Sequence, residues 1–251
     1  MSIEKTEAIV IRQADFSESS RVVTFFSRDH GRISTVAKGA KRLKGPFEAA
    51  LDLLAVCRIV FLRKSSSSLD ILTEAQLAQR FRPNQRSLSS LYGGYYVAEL
   101  LDSLTEEYDP HPVLYEEARN TLNLLSQEGE TGLVILRFEL IMLREIGQLP
   151  AFDFCVGCGE PLEKGPFAFW VSQGGLICPR CQKEGLNRHG VDAGTVELLR
   201  ALSTESNVLA ERLAVSASQM QQMRTLLTSA ISHVLGRRPK MLRYLQPEFR
   251  G

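Results

Sequence analysis

Over the first 80 residues, short apolar stretches alternate with turn-forming residues, at 8–11, 22–26, 33–36, 53–62 and 69–77. Their β-branched and aromatic content (Ile9, Val10, Ile11; Val22, Val23, Thr24, Phe25, Phe26) predicts strands rather than helices. Five strands in so short a stretch predict a small closed barrel, the arrangement that leaves no sheet edge exposed. From about Asn84 the period changes. Apolar residues recur three and four apart at Leu88, Leu91, Tyr92 and Tyr95, then at Leu122 and Leu125, then at Leu133, Leu136, Leu140 and Leu143, which predicts amphipathic helices. Breaks fall at Asp109-Pro110-His111-Pro112 and around Gly129, and Gly147 followed by Pro150 closes a three-helix block over 84–150. Helices resume near Asp192. The last is predicted to start at a capping box of Ser218 and Gln221, to bury Met220, Met223, Leu227, Ala230 and Val234, and to stop at Gly236.

Between the helical stretches lie Cys155-Val156-Gly157-Cys158 and Cys178-Pro179-Arg180-Cys181, two CxxC knuckles separated by 19 residues. That spacing is the signature of a four-cysteine zinc site, because two thiolates on each tight turn can face one ion and two turns complete a tetrahedron. Cys155, Cys158, Cys178 and Cys181 are therefore the expected ligands of one zinc ion. Four protein ligands leave no open position for water or substrate, so the ion is expected to be structural. Disulfides and a thioredoxin-like redox pair are the competing readings, and two paired knuckles in an intracellular chain favour zinc over both. The fifth cysteine, Cys57, alternates with Ala55, Ile59 and Phe61 and reads as core packing.

The composition changes the picture in one respect. The 251-residue chain has a formal net charge of only +1, which taken as a whole argues against a nucleic-acid binder. Counted along the chain, however, residues 1–80 carry 13 basic and 9 acidic residues, 81–150 carry 5 and 11, and 151–251 carry 12 and 9. Phosphate attraction depends on the local field. Lys38-Gly39-Ala40-Lys41-Arg42-Leu43-Lys44 places four cations in seven residues just after a predicted strand, with Arg21, Arg32, Arg63 and Lys64 nearby in the predicted barrel. Such a loop suits a phosphate backbone, and Phe16, Phe25, Phe26 and Phe47 are candidate platforms for bases. No phosphate-gripping GxxxxGK[ST] loop is present, nor GxGxxG, HExxH or GxSxG. Catalytic turnover is not expected. The start, Met1-Ser2-Ile3-Glu4-Lys5, lacks the pattern of a secretory signal, and a cytoplasmic protein is expected.

Several segments together resemble one family, the bacterial DNA repair and recombination mediator RecO. They are Glu4-Lys5-Thr6-Glu7-Ala8-Ile9-Val10, Phe16-Ser17-Glu18-Ser19-Ser20-Arg21-Val22-Val23, His30-Gly31-Arg32-Ile33 and Ala37-Lys38-Gly39-Ala40-Lys41-Arg42, followed by Tyr96-Val97-Ala98-Glu99-Leu100-Leu101, Arg137-Phe138-Glu139-Leu140, the knuckle ending at Gly159, Gly174-Gly175-Leu176-Ile177-Cys178 and Leu235-Gly236-Arg237-Arg238-Pro239. The resemblance implies an α+β multidomain protein: an OB-fold barrel over 1–80, a helical domain from 81–150 and 190–251, and a zinc-ribbon insert over 151–189. It further implies binding of single- and double-stranded DNA, annealing of complementary strands, and loading of RecA onto DNA coated by single-stranded-DNA-binding protein. The implied partners are RecR, in some bacteria RecF, and RecA indirectly, and the implied location is the bacterial nucleoid. By motif, the DNA-binding surface would comprise Arg21, Arg32, Lys38, Lys41, Arg42 and Lys44. A groove edged by Arg119, Arg137 or Arg144 is the candidate for the acidic C-terminal tail of single-stranded-DNA-binding protein. Lys240-Met241-Leu242-Arg243 departs from the family pattern. The competing readings are a zinc-ribbon transcription or RNA-binding factor and, less favoured, a metal-dependent hydrolase.

Overall fold

The computed structural model describes residues 1–42, 47, 50–64, 69–84, 87–127, 129–182, 190–204 and 214–245. Lys44, the Ser65–Ser68 stretch and His189 lie outside them. The chain is α+β and divides into two compact units, Met1–Gly129 and Glu130–Gly251. No helix among the described residues is long and apolar enough to cross a membrane.

In the first unit β1 (Ser2–Asp15), β2 (Arg21–Ser27), β3 (Gly31–Ala37), β4 (Val56–Arg63) and β5 (Asp70–Gln79) close a barrel in the order β1-β2-β3-β5-β4. Every pairing is antiparallel except β3 with β5, which run parallel from Thr35–Asp70 to Ala37–Leu72. Five strands in this order with this one parallel pairing make the OB-type barrel. Its interior is filled by alternate residues: Ala8 and Val10, Val23 and Phe25, Ile33, and then Cys57, Ile59, Phe61 and Leu72. Phe47, Ala50 and Leu51, from the connection between β3 and β4, pack onto the same core. The apolar run at 53–62 therefore becomes strand only from Val56. Leu54 is buried with φ of +66° and donates its amide to the Val10 carbonyl at 2.8 Å, so this part of the run bends instead of extending.

Helices α1 (Leu88–Leu104) and α2 (Pro112–Leu125) belong to the same unit. α1 approaches closely at Gly94, where a β-carbon would lie 2.7 Å from the Leu54 side chain. α2 is tied to β1 through Glu7, whose Oε1 accepts from the Tyr115 hydroxyl at 3.0 Å and from Arg119 at 3.2 Å. The segment between the helices crosses the start of β3: the Tyr108 amide donates to the Arg32 carbonyl at 3.1 Å. Gly31 makes that crossing possible. Its φ is +65°, and a β-carbon there would fall 2.0 Å from the Asp109 carbonyl oxygen.

The second unit comprises α3 (Thr131–Glu145), a three-stranded sheet in the order β7-β6-β8, α4 (Ala193–Thr204), α5 (Ala217–Leu235) and the short α6 (Leu242–Leu245). The strands are short: β6 is Phe167–Trp170, β7 Gly175–Ile177 and β8 Gly190–Val191. β8 pairs with β6, so the small sheet runs past residue 189. α5 starts one half-turn before the expected capping box. The reciprocal bonds are made by Ser216 and Gln219, and Ser218 lies inside the helix. Both serines carry glutamine three residues on. The helix uses the earlier pair and buries Met223, Leu226, Leu227, Ala230 and Ile231, while Met220 and Val234 stay half-buried. Glu139 on α3 and Arg224 on α5 form an ion pair that is almost wholly buried. The divergent tail segment contributes Leu242 and Leu245 to the buried set.

Candidate nucleic-acid interface and metal centre

Two neighbouring loops shape one end of the barrel. The β1–β2 turn is held by its own hydrogen bonds: the Phe16 and Ser17 amides donate to the Ser20 carbonyl at 3.1 and 3.2 Å, and the Ser20 amide donates to the Ser17 hydroxyl at 3.2 Å. The loop that follows β3 is bonded to this turn, because the Lys41 amide donates to the Ser19 carbonyl at 3.1 Å. Its ammonium then donates to the Ser17 carbonyl at 2.9 Å and lies 3.0 Å from Asp15. Arg21 completes the arrangement, 3.6 Å from Asp15 and 3.3 Å from the Gln13 side-chain oxygen. The Lys41 hydrogen bond, helped by the charges of Lys41 and Arg21, holds the Asp15 carboxyl below the ordinary carboxylate value.

The six expected DNA-binding cations therefore differ in what they have left to offer. Lys38 and Arg42 are exposed and, among the described residues, take part in no ion pair. Lys41 and Arg21 share their charge with Asp15. Arg32 has a different job: its Nε donates to the Thr105 carbonyl at 3.0 Å, and its guanidinium lies 3.9 Å from both Asp102 and Glu107. It sits where the chain leaving α1 crosses β3, and its side chain is only 23% exposed. The sequence places Arg32 on an outward position of a strand but does not reveal that a helix end covers it.

The aromatic candidates sort in the same way. Phe25 fills the barrel interior and Phe47 packs onto it. Phe26 points outward yet is fully buried, because α2 covers it and Tyr115 stacks obliquely at a centroid distance of 6.4 Å. Burial, together with the Glu7 carboxylate, pushes the Tyr115 hydroxyl up. Phe16 alone of the four is exposed, at 60%. The outer face of β2 and β3, the usual ligand face of an OB barrel, is thus covered at Phe26 and Arg32. The outer face of β1, β4 and β5 carries an open groove in which Lys5 and Arg58 are matched by Glu7 and Glu74. Such a balanced face offers a phosphate chain little net attraction.

The arginines expected at the tail-binding groove fall in different units. Arg119 belongs to the first unit, where it reaches Glu7 at 3.2 Å and Glu116 at 2.9 Å. Arg137 and Arg144 lie on α3 and donate to the Leu202 and Ser203 carbonyls at 3.0 and 2.6 Å. These are carbonyls of the last turn of α4, which the helix itself cannot satisfy. Arg137 is buried. Both cations thus serve the packing of α4 on α3.

In the second unit the two knuckles converge. The sulfurs of Cys155, Cys158, Cys178 and Cys181 all lie within 4.8 Å of one another, and Cys158 and Cys178 are 3.9 Å apart. None of the five cysteines is in a disulfide. For bonds of about 2.3 Å, a tetrahedral zinc site needs sulfur–sulfur edges of about 3.8 Å, so the set fits that ion and is too widely spaced for a disulfide. The amides of Gly157 and Cys178 donate to the Cys155 sulfur at 3.4 and 3.3 Å. Glycine at 157 leaves room for the facing knuckle, since a β-carbon there would lie 3.1 and 3.2 Å from the Cys181 Cβ and Sγ. Burial opposes ionisation of Cys155, but the amide donors of Cys178, Gly157 and Cys158 outweigh it and bring the thiol down to about 6. Hydrogen bonding to Cys158 and Cys178 pushes Cys181 up to about 12. Cys57 is the opposite case: burial, with Asp52 nearby, pushes its thiol up to about 12, and its sulfur lies 2.5 Å from the Ala50 carbonyl oxygen.

Two family profiles cover nearly the whole chain. Residues 1–81 match the recombination protein O N-terminal domain, and residues 85–243 match the recombination protein O C-terminal domain. Among curated proteins, the chain is similar to the DNA repair protein RecO of Rhodopirellula baltica, with 41% identity over 79% of this chain and 74% of the relative. The Listeria monocytogenes protein of the same name is 34% identical over 79% and 76%. That of Syntrophus aciditrophicus is 31% identical over 96% of this chain and 94% of its own.

Proposed function

The chain belongs to the recombination protein O family, and on that premise we propose that it acts in DNA repair by homologous recombination as a DNA-binding mediator without catalytic turnover. In this reading it binds single- and double-stranded DNA, anneals complementary strands, and helps load RecA onto single strands covered by single-stranded-DNA-binding protein, together with RecR and, in some bacteria, RecF. It works in the cytoplasm, at the nucleoid. The observation that carries the reading is the end of the OB-type barrel where Lys38 and Arg42 stand exposed beside the β1–β2 turn.

The action is physical. Cations at this end lower the repulsion between two phosphate backbones held close together, and base pairing then completes annealing. Lys38 and Arg42 bind phosphates, Lys41 and Arg21 hold the turn and add to the field, and Arg32 braces the barrel against the end of α1. Lys44, in the same basic run, adds a further charge. Cys155, Cys158, Cys178 and Cys181 hold one zinc ion, which supplies a closed structural cross-link. RecR, RecF and the acidic tail of single-stranded-DNA-binding protein enter as partners through the family, without an assigned surface.

The test is annealing of two complementary fluorescent oligonucleotides without ATP, at two salt concentrations, with one reaction pre-coated by single-stranded-DNA-binding protein. Salt-sensitive acceleration that survives the coating is expected. With about four to six phosphates neutralised, log affinity for single strands falls against log salt with a slope of about −3 to −4. Binding without acceleration would favour a transcription or RNA-binding factor instead.

A further inference from the structure

We infer that Phe16 is a base-stacking platform that makes the cationic end of the barrel select unpaired strands, an inference that rests on the DNA-binding reading above. Eleven of the chain's twelve phenylalanines lie among the described residues, and of these only Phe16 and, in the other unit, Phe154 are exposed beyond half of their surface. An exposed phenylalanine forgoes the stabilisation that burying its ring would contribute. Phe16 has no ring contact of its own among the described residues. It does not sit on a loose tip. The hydrogen bonds of the Phe16–Ser20 turn and the Lys41 bonds to Ser17 and Ser19 hold the backbone on both sides, so the ring is presented in a pre-organised place.

The neighbours give the ring its partner. Lys38 and Arg42 have charge to spend, and the Lys41 and Arg21 pairings neutralise Asp15, leaving Glu18 as the turn's other carboxylate. A ring face beside unspent cations matches a chain that presents one flat base and one phosphate per residue. Every base has such a face, so stacking is tolerant of sequence. In a duplex those faces are already stacked on one another and only the phosphates remain available. The ring therefore adds affinity for single strands alone, while Lys38 and Arg42 serve both forms. For annealing this has a direct use: each strand is held while its bases are unpaired, and the product duplex no longer stacks on the ring and is released.

The experiment uses the full chain with a labelled oligothymidine of about thirty nucleotides and a blunt duplex of the same length. Phe16→Ala is expected to weaken single-strand binding roughly 5- to 150-fold and to leave duplex binding and the salt slope unchanged. Phe16→Tyr is expected to retain wild-type affinity. Phe16→Trp adds a second indole to the single Trp170 of the chain, and its emission is expected to be quenched by oligothymidine and not by duplex. Unchanged single-strand affinity in Phe16→Ala, or equal loss for both forms, overturns the inference. A parallel variant, Lys38→Glu with Arg42→Glu, separates the two levels. If it loses both forms while Phe16→Ala loses neither, the cationic reading stands and the stacking inference falls. If wild-type protein binds neither form, both fall.

Discussion

The barrel and the cysteine-bearing insert are both small β structures, yet they hold together by different means. The barrel strands run 14, 7, 7, 8 and 10 residues and close on an interior of aliphatic and aromatic side chains. The insert has strands of 4, 3 and 2 residues, too short to bury a core of their own. Phe152, Phe167, Phe169 and Leu176 are buried in it, and its four sulfurs converge. A sheet that closes on itself needs no ion and can spend its surface cations on a partner. A sheet this short gains most from a cross-link, and four converging sulfurs are placed where a metal ion could supply one. On the proposed reading, the barrel end with unspent charge and an exposed ring is the DNA-binding surface, and the insert is scaffold.

The largest expected effect breaks the insert alone. Chelation of zinc, or Cys158→Ser with Cys181→Ser, removes a binding free energy of roughly 10 to 16 kcal/mol for such sites. Amide exchange is expected to accelerate across residues 151–191 and to stay slow in β1–β5. Equal acceleration in both would erase the distinction. In the barrel, Phe61→Ala is expected to cost about 3 to 5 kcal/mol, read by urea denaturation as a shift confined to the transition of the first unit.

A comparable loss of about 3 to 5 kcal/mol is expected in the second unit for Glu139→Leu, which strands Arg224 without its buried partner. The double variant with Arg224→Met should recover most of it, since two apolar groups replace the pair. Gly31→Ala is expected to cost about 2 kcal/mol or more, from the left-handed backbone and from displacement of the Asp109 carbonyl. It should loosen α1 and α2 while the insert keeps its protection.

The smallest effect concerns pH. Asp15 is held below its ordinary value when folded, so its pairing with Lys41 stabilises the turn fully above the unfolded carboxyl's pKa, near 4, and is lost as pH falls from there through the lower folded value. Amide protection of the turn should therefore fall below about pH 4 in the wild type by a component that Asp15→Asn lacks.

The elements were readable from periodicity because each type buries one face at its own repeat. Five strands, three central helices and the final helix stop at Gly236 all follow from it. The cysteine knuckles were readable because a tetrahedral site constrains spacing along the chain. What escaped depended on neighbours remote in sequence. Phe25 and Phe26 alternate faces, so the sequence makes one of them core, but both are buried because α2 covers Phe26 with Tyr115. Arg32 reads as a surface cation, but Thr105, 73 residues later, takes its donor. The bonds that Arg137 and Arg144 make to carbonyls of α4 likewise join residues 65 and 59 positions apart. Leu54 belongs to an apolar run, and only the closed barrel shows that it must turn away. The doubled Ser-x-x-Gln at the start of α5 could be resolved only by the helix choosing the earlier serine. A cation's neighbours decide whether its charge is free, and neighbours are a property of the fold.

The most direct test compares the affinity of three forms of the full chain for labelled oligothymidine: wild type with zinc, wild type after chelation, and Lys38→Glu with Arg42→Glu with zinc. Chelated protein is expected to keep its affinity within about twofold, whereas the charge-reversed variant weakens more than about tenfold and its salt slope flattens by about 1.4 or more, because at least two phosphates are no longer neutralised. Abolition of binding by chelation while amide exchange shows the barrel intact, with full binding by the charge-reversed variant, would place the DNA surface on the insert and contradict the account.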